Sequence, residues 1–271
     1  MKKIKMICLD IDGTLLNSNH QITKNVKEVI NKVANEINIP VILVSARMPK
    51  GIVFLQRELE IEEPMICYSG ALILDKNGEI ISKESIDISN LEEIYKTVNK
   101  HNIHISLYKD DEWYVEKLDY WAKQESDITN IIPKIADFGQ LIELWKTEKT
   151  GPNKILCMAN PYEISLLKEE IKANSNVNVL NIYPSKTTYL EIMPTNASKT
   201  SAISYLEKKF DVSKNEIIAM GDNYNDVDML RYAGIGIAMG NATEDVKKSA
   251  DDVTLTNDED GVAIAIKKYV F

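Results

Sequence analysis

Ile4-Lys5-Met6-Ile7-Cys8-Leu9-Asp10-Ile11-Asp12-Gly13-Thr14-Leu15-Leu16 is the stretch whose reading decides the fold. Residues 4–9 form a nearly continuous apolar run, the pattern of a strand covered on both faces in a parallel sheet, and the run stops abruptly in a polar turn. Two further runs have the same form. Residues 40–45 (PVILVS) lead into Ser45-Ala46-Arg47, and residues 216–220 (EIIAM) lead into Gly221-Asp222-Asn223-Tyr224-Asn225-Asp226. Open parallel sheets bind ligands at the carboxyl ends of their strands, so the three polar clusters are expected to converge on one crevice. At least four carboxylates then share a sheet edge. Their mutual repulsion calls for a divalent cation among them.

Outward from these runs, helical periodicity alternates with short apolar strands. Ile22, Val26, Ile30, Val33 and Ile37 recur at helical spacing behind Thr23, a good N-cap. A helix starting at Ser198 carries Ile203, Leu206 and Phe210 on one face, and a short helix is expected near Thr243, flanked by runs at 234–239 and 252–256. The alternation predicts an α/β fold with a doubly wound, mostly parallel sheet. Residues 83–189 have a different texture. They hold Trp113, Trp121 and Trp145 and two of the three histidines, with helical patterns near 89–101 and 161–173 among strands at 104–108 and 154–159. The expected organisation is a core (1–82), an inserted α+β cap (83–189) and the rest of the core (190–271).

Composition narrows the partners. With 32 Lys and Arg against 41 Asp and Glu, the formal charge is −9. That balance disfavours sequence-independent nucleic-acid binding and anionic membrane surfaces. No apolar run approaches the roughly 20 residues of a membrane span. The apolar part of the N-terminus is too short for a signal peptide and is interrupted by Asp10 and Asp12, so a cytoplasmic location is expected. Cys8, Cys67 and Cys157 each lie in an apolar run and form no CxxC pair, which suits buried thiols rather than a disulfide framework.

The motifs taken in order resemble the haloacid dehalogenase superfamily. Asp10-x-Asp12-Gly13-Thr14-Leu15-Leu16 is similar to its first signature, and Gly221-Asp222-x-x-Asn225-Asp226 to its fourth. Ser45 and Lys199 stand at the positions of the second and third. Residues 191–203, Gly240-Asn241-Ala242 and Asp260-Gly261-Val262 resemble the Cof-type branch, whose large α/β cap lies between the second and third signatures. This chain has Ser45-Ala46-Arg47 where Thr-Gly-Arg is usual, Thr200 rather than Gly after Lys199, and Ser69 in Tyr68-Ser69-Gly70-Ala71 where Asn is frequent.

The resemblance implies a Mg²⁺-dependent phosphatase acting on a small phosphorylated metabolite. Asp10 would be the nucleophile, forming an aspartyl-phosphate, and Asp12 the general acid and later base. Asp10, the backbone carbonyl of Asp12 and Asp222 would hold the metal. Ser45, Arg47, Lys199 and Asn225 would bind phosphate, with Gly13, Thr14, Gly221 and Asp226 in support. A phosphomutase using the same intermediate and a non-catalytic phosphate-ligand binder are the alternatives. His101 and His104 are read as structural surface histidines, because no further metal ligand accompanies them. Gly234-x-Gly236-x-x-x-Gly240 has the wrong spacing for a dinucleotide loop, and the P-loop pattern GxxxxGK[ST] does not occur.

Overall fold

The computed structural model describes residues 3–173 and 180–271. From the N-terminus the chain forms β1 (Met6–Asp10), α1 (Lys24–Asn31), β2 (Val41–Val44), α2 (Lys50–Leu59), β3 (Met65–Cys67), β4 (Leu72–Leu74) and β5 (Ile80–Lys83). Next come α3 (Ile88–Lys100), β6 (His104–Lys109), β7 (Glu112–Val115), α4 (Tyr120–Thr129), β8 (Lys134–Ile135), α5 (Phe138–Glu148), β9 (Lys154–Met158), α6 (Pro161–Ala173), β10 (Leu180–Lys186) and β11 (Tyr189–Pro194). The last part contributes α7 (Lys199–Phe210), β12 (Ile217–Gly221), α8 (Val227–Tyr232), β13 (Ile235–Ala238), α9 (Glu244–Lys247), β14 (Asp252–Val253) and α10 (Gly261–Val270).

One sheet has the order β14-β13-β12-β1-β2-β3-β4-β5. It is parallel from β14 to β3, and β4 runs antiparallel to β3. Every residue of β1, β2 and β12 is buried, as their unbroken apolar runs require. Met6, Cys8, Ile42, Val44 and Ala219 pack against Ile203 and Leu206 of α7 and Met229 and Leu230 of α8. In register, Asp10 lies beside Val44 and Leu9 beside Met220, so the turns after β2, β1 and β12 emerge side by side at the carboxyl end of the sheet. Thr23 caps α1 as expected, its hydroxyl accepting from the Val26 N–H at 3.3 Å.

The second sheet has the order β10-β11-β9-β6-β7-β8 and is antiparallel apart from the β7–β8 pair. Ile105, Leu107, Ile155, Cys157, Leu190 and Ile192 pack on one side of it with Leu91, Ile94, Ile142, Trp145, Leu167 and Ile171 from α3, α5 and α6. The chain divides into two compact units: Met1–Arg47, Ile52–Ile81 and Ser198–Phe271 in one, Met48–Gly51 and Ser82–Ala197 in the other. The boundary expected at 189/190 falls at the start of β11, whose pairing with β9 and β10 ties it to the second sheet.

His104 corrects the sequence reading: it is buried, not on the surface. Its Nδ1 lies 2.9 Å from Asp119 Oδ2 and its Nε2 2.9 Å from Ser106 Oγ, which also accepts from the Trp113 indole at 2.9 Å. His101 is exposed and pairs with Glu170. All three cysteines are free and buried. Trp113 and Trp145 lie in the core, whereas Trp121 is half-buried. Among the described residues, no helix is long and apolar enough to cross a membrane.

Candidate active site

Asp10 ends β1 and is buried. Asp222 directly follows β12, and Asp226 lies one turn further on, in a short 3₁₀ turn that leads into α8. Carboxylate oxygens of these three residues all lie within 4.8 Å of one another. Two glycines permit the convergence. Gly13 has φ +85°, and a Cβ there would overlap the Asp222 carboxylate; a Cβ on Gly221 would overlap Asp226. The Thr14 hydroxyl donates to Asp222 Oδ1 at 3.1 Å.

One cation faces this acidic group. Lys199 occupies the first position of α7, behind the Ser198 N-cap, where the helix dipole disfavours a positive charge. Its Nζ donates to Asp10 Oδ1 at 2.5 Å and to Asp226 Oδ1 at 2.6 Å, and it is buried. The other Asp226 oxygen accepts from the backbone N–H groups of Asp222 and Asn223 at 3.1 and 3.0 Å. Asp226 thereby both orients Lys199 and closes the turn that carries Asp222.

The charges do not balance. When all three carboxylates are ionised, one ammonium faces three negative charges. Burial and the neighbouring Asp226 charge hold Asp10 well above the usual carboxylate range, and the same two causes push Asp222 up to about 6. Burial alone would favour neutral Lys199, yet Asp10 and Asp226 outweigh it and hold the ammonium above the ordinary lysine range. A site of hard oxygen donors carrying two uncompensated negative charges has the chemistry that accepts a divalent cation such as Mg²⁺.

The remaining motif residues gather around this centre, though not all as expected. Arg47 holds the Asp12 carboxylate through two bonds, Nε to Oδ2 at 2.9 Å and Nη2 to Oδ1 at 2.5 Å. Its guanidinium is thus engaged by a protein carboxylate, where the sequence reading assigned it to phosphate. The Asp12 side chain lies apart from the three clustered carboxylates, of which Asp226 is one. Ser45 is buried at the end of β2, its hydroxyl accepting from the Arg47 N–H at 3.2 Å, while Asn225 is exposed.

Two features stand outside the site residues named from the sequence. Tyr68, Ser69 and Gly70 take φ of +49°, +50° and +108° in succession, and a Cβ on Gly70 would overlap the Ser198 carbonyl. The Ser69 N–H donates to the Ser45 carbonyl at 2.8 Å, yet its buried Oγ has no hydrogen-bond partner. Asn241, noted only within Gly240-Asn241-Ala242, donates from Nδ2 to the Gly13 carbonyl at 2.9 Å.

Comparison with known proteins gives the class. The haloacid dehalogenase-like hydrolase family matches residues 7–266, and the chain belongs to it. A Haemophilus influenzae protein named "putative phosphatase" is 34% identical over 266 residues, 97% of each chain. The Bacillus subtilis 5-amino-6-(5-phospho-D-ribitylamino)uracil phosphatase YcsE is 28% identical, covering 98% of this chain and 96% of its own. Among solved structures, a haloacid dehalogenase-like hydrolase from Bacteroides thetaiotaomicron superposes with TM-score 0.89 at 32% identity, over 98% of this chain and 99% of that one. The protein is a phosphatase of this family, with an α/β core and a cap.

Proposed function

We propose that the chain hydrolyses a small phosphorylated metabolite, a sugar phosphate or similar phosphomonoester, with Mg²⁺ as cofactor and through an aspartyl-phosphate. The observation that carries this reading is the Asp10–Asp222–Asp226 cluster, with its two unbalanced charges and one buried lysine. Asp10 and Asp222 would hold the ion through their carboxylates and Asp12 through its backbone carbonyl. When bound, Mg²⁺ supplies charge neutralisation for the phosphoryl oxygens and for the carboxylates that face them.

The protein's own groups carry the steps. An Asp10 carboxylate oxygen attacks phosphorus, and the bond from phosphorus to the ester oxygen breaks. Asp12, released from its pair with Arg47, delivers a proton to the departing oxygen. Lys199 and the Ser45 hydroxyl bind phosphoryl oxygens, and Asn225 contributes from the exposed side of its turn. Asp12 then takes a proton from the water that attacks phosphorus, releasing phosphate and restoring the Asp10 carboxylate. Asp226 keeps Lys199 charged and aimed. A relative named for a phosphorylated ribityl compound supports a substrate of this size and polarity. The expected organisation of an inserted cap at 83–189 belongs to the same reading, its side chains selecting the metabolite.

Phosphate release from a panel of phosphorylated metabolites and p-nitrophenyl phosphate tests the proposal. Turnover is expected with Mg²⁺, abolished by EDTA and restored by added Mg²⁺. Asp10→Asn is expected to fold and to be inactive. Absence of phosphate release across the panel would refute hydrolysis, and isomerisation of a hexose phosphate without free phosphate would indicate a mutase.

A further inference from the structure

The loop after β13 reaches back to the loop after β1. Asn241 donates from Nδ2 to the Gly13 carbonyl at 2.9 Å, and its Oδ1 accepts the Asn257 N–H at 3.0 Å. Asn257 in turn donates from Nδ2 to the Leu16 carbonyl at 2.8 Å. The Gly13 carbonyl belongs to the peptide that joins Gly13 to Thr14. Both residues of that peptide bear on Asp222: the Gly13 Cα lies against its carboxylate, and the Thr14 hydroxyl bonds its Oδ1 at 3.1 Å. Gly13, with φ +85°, has no side chain to fix its own backbone.

We infer that Asn241 is a positioning residue for the metal-holding carboxylates, fixing the Gly13–Thr14 peptide and, through it, the placement of Asp222. This inference rests on the Mg²⁺ reading above. Asn241 bonds the Gly13 carbonyl rather than a carboxylate of the cluster, so its effect passes through one peptide plane. Partners bonded directly to a metal's ligands change affinity by about tenfold or more when deleted, which sets the scale for Asn241 acting one peptide further out.

The experiment measures Mg²⁺ binding to the metal-free 271-residue chain by calorimetry and by thermal shift, alongside Mg²⁺ activation of phosphate release. Asn241→Ala is expected to raise the half-saturating Mg²⁺ concentration roughly tenfold in binding as well as in activation. Asn241→Asp keeps the acceptor for Asn257 and loses the donor to Gly13. Its added negative charge would by itself favour the cation, so weaker binding there identifies the lost donor as the cause; it also serves if the alanine variant folds poorly. Asn257→Ala removes the bond to Leu16 but keeps its N–H on Asn241, and is expected to bind Mg²⁺ within about twofold of the parent. Asn241 variants that bind Mg²⁺ like the parent would overturn the inference, and so would an equal loss in Asn257→Ala. A parent protein indifferent to Mg²⁺ would overturn the metal reading and this inference together.

Discussion

Lys199 and Asp226 form a buried ion pair of 2.6 Å in which the side chains are 2% and 0% exposed. Buried pairs seldom increase stability over an apolar alternative, but removing one partner is costly because the other is left charged and unpaired. Here Asp226 also accepts two backbone N–H groups with its second oxygen. In Asp226→Asn, the amide NH₂ must face either Lys199 or those N–H groups, so one set of bonds is lost whichever way it turns. Turnover is expected to fall at least tenfold and stability by about 3 kcal/mol, read by phosphate release and by denaturant unfolding of the metal-free protein. An unchanged unfolding midpoint would contradict this account.

Gly13 and Gly78 offer a matched pair. Their φ values are +85° and +82°, so alanine meets nearly the same backbone penalty at both, about 1–2 kcal/mol. A Cβ at Gly13 also overlaps the Asp222 carboxylate, whereas nothing lies within 4 Å of one at Gly78. Gly13→Ala is expected to reduce turnover about a hundredfold, consistent with the loss from a displaced catalytic group. Gly78→Ala is expected to keep full turnover with a slightly lower melting temperature. Equal turnover in the two variants would show that the Gly13 approach is irrelevant to the reaction.

The parallel core was legible because its strands are buried on both faces, and the unbroken runs at 4–9, 40–45 and 216–220 have few other interpretations. The convergence of Asp10 and Asp222 followed from where those runs end. Pairings between side chains far apart in the chain were not legible. Whether Arg47 reaches a ligand or the Asp12 carboxylate depends on rotamers, and nothing in the sequence links Asn241 to the Gly13 carbonyl 228 positions away. Helix α4 escaped because it has no buried apolar stripe to read, Ala122 being its buried residue, whereas α6 and α7 bury several. His104 was misplaced because the lack of a further metal ligand says nothing about burial: β6 is buried from His104 through Tyr108.

Ser69 combines a left-handed backbone with a buried hydroxyl that lacks a partner. Strain and unmet polar groups concentrate where function rather than stability sets the residue. Ser69→Ala removes the unsatisfied oxygen and is expected to raise stability by up to about 1 kcal/mol while lowering turnover, since that hydroxyl stands on a turn bonded to the Ser45 backbone. Thermal unfolding and steady-state kinetics on the same preparation check both halves. A fall in melting temperature would mean that the hydroxyl is satisfied in solution, and unchanged kinetics would make it irrelevant to the reaction.

His104 sets an acid limit on the second unit. Burial lowers its pKa below the ordinary histidine value of 6.5, outweighing the opposing pull of Asp119. The hydrogen bonds assign a neutral ring with Nδ1–H donating to Asp119 and Nε2 accepting from the Ser106 hydroxyl, whose oxygen receives the Trp113 N–H. Because the folded pKa lies below the unfolded one, the unfolded chain binds the proton first. The stability that this site contributes is therefore complete above pH 6.5 and declines as the pH falls below it, until the folded ring also protonates. Asp119, whose own pKa is lowered despite burial by the Ala122 N–H and by His104, loses its contribution only further into acid, from about its ordinary value of 3.8 downward. Asp10 and Asp222, whose pKa values are raised in the fold, add stability over the same fall in pH, so the His104 contribution is read against His104→Gln, which cannot titrate there. The midpoint of the parent minus that of His104→Gln is expected to be positive at pH 7.5 and to shrink at pH 6.0 and again at pH 5.0. Identical slopes for the parent and the variant would exclude His104 as the titrating group.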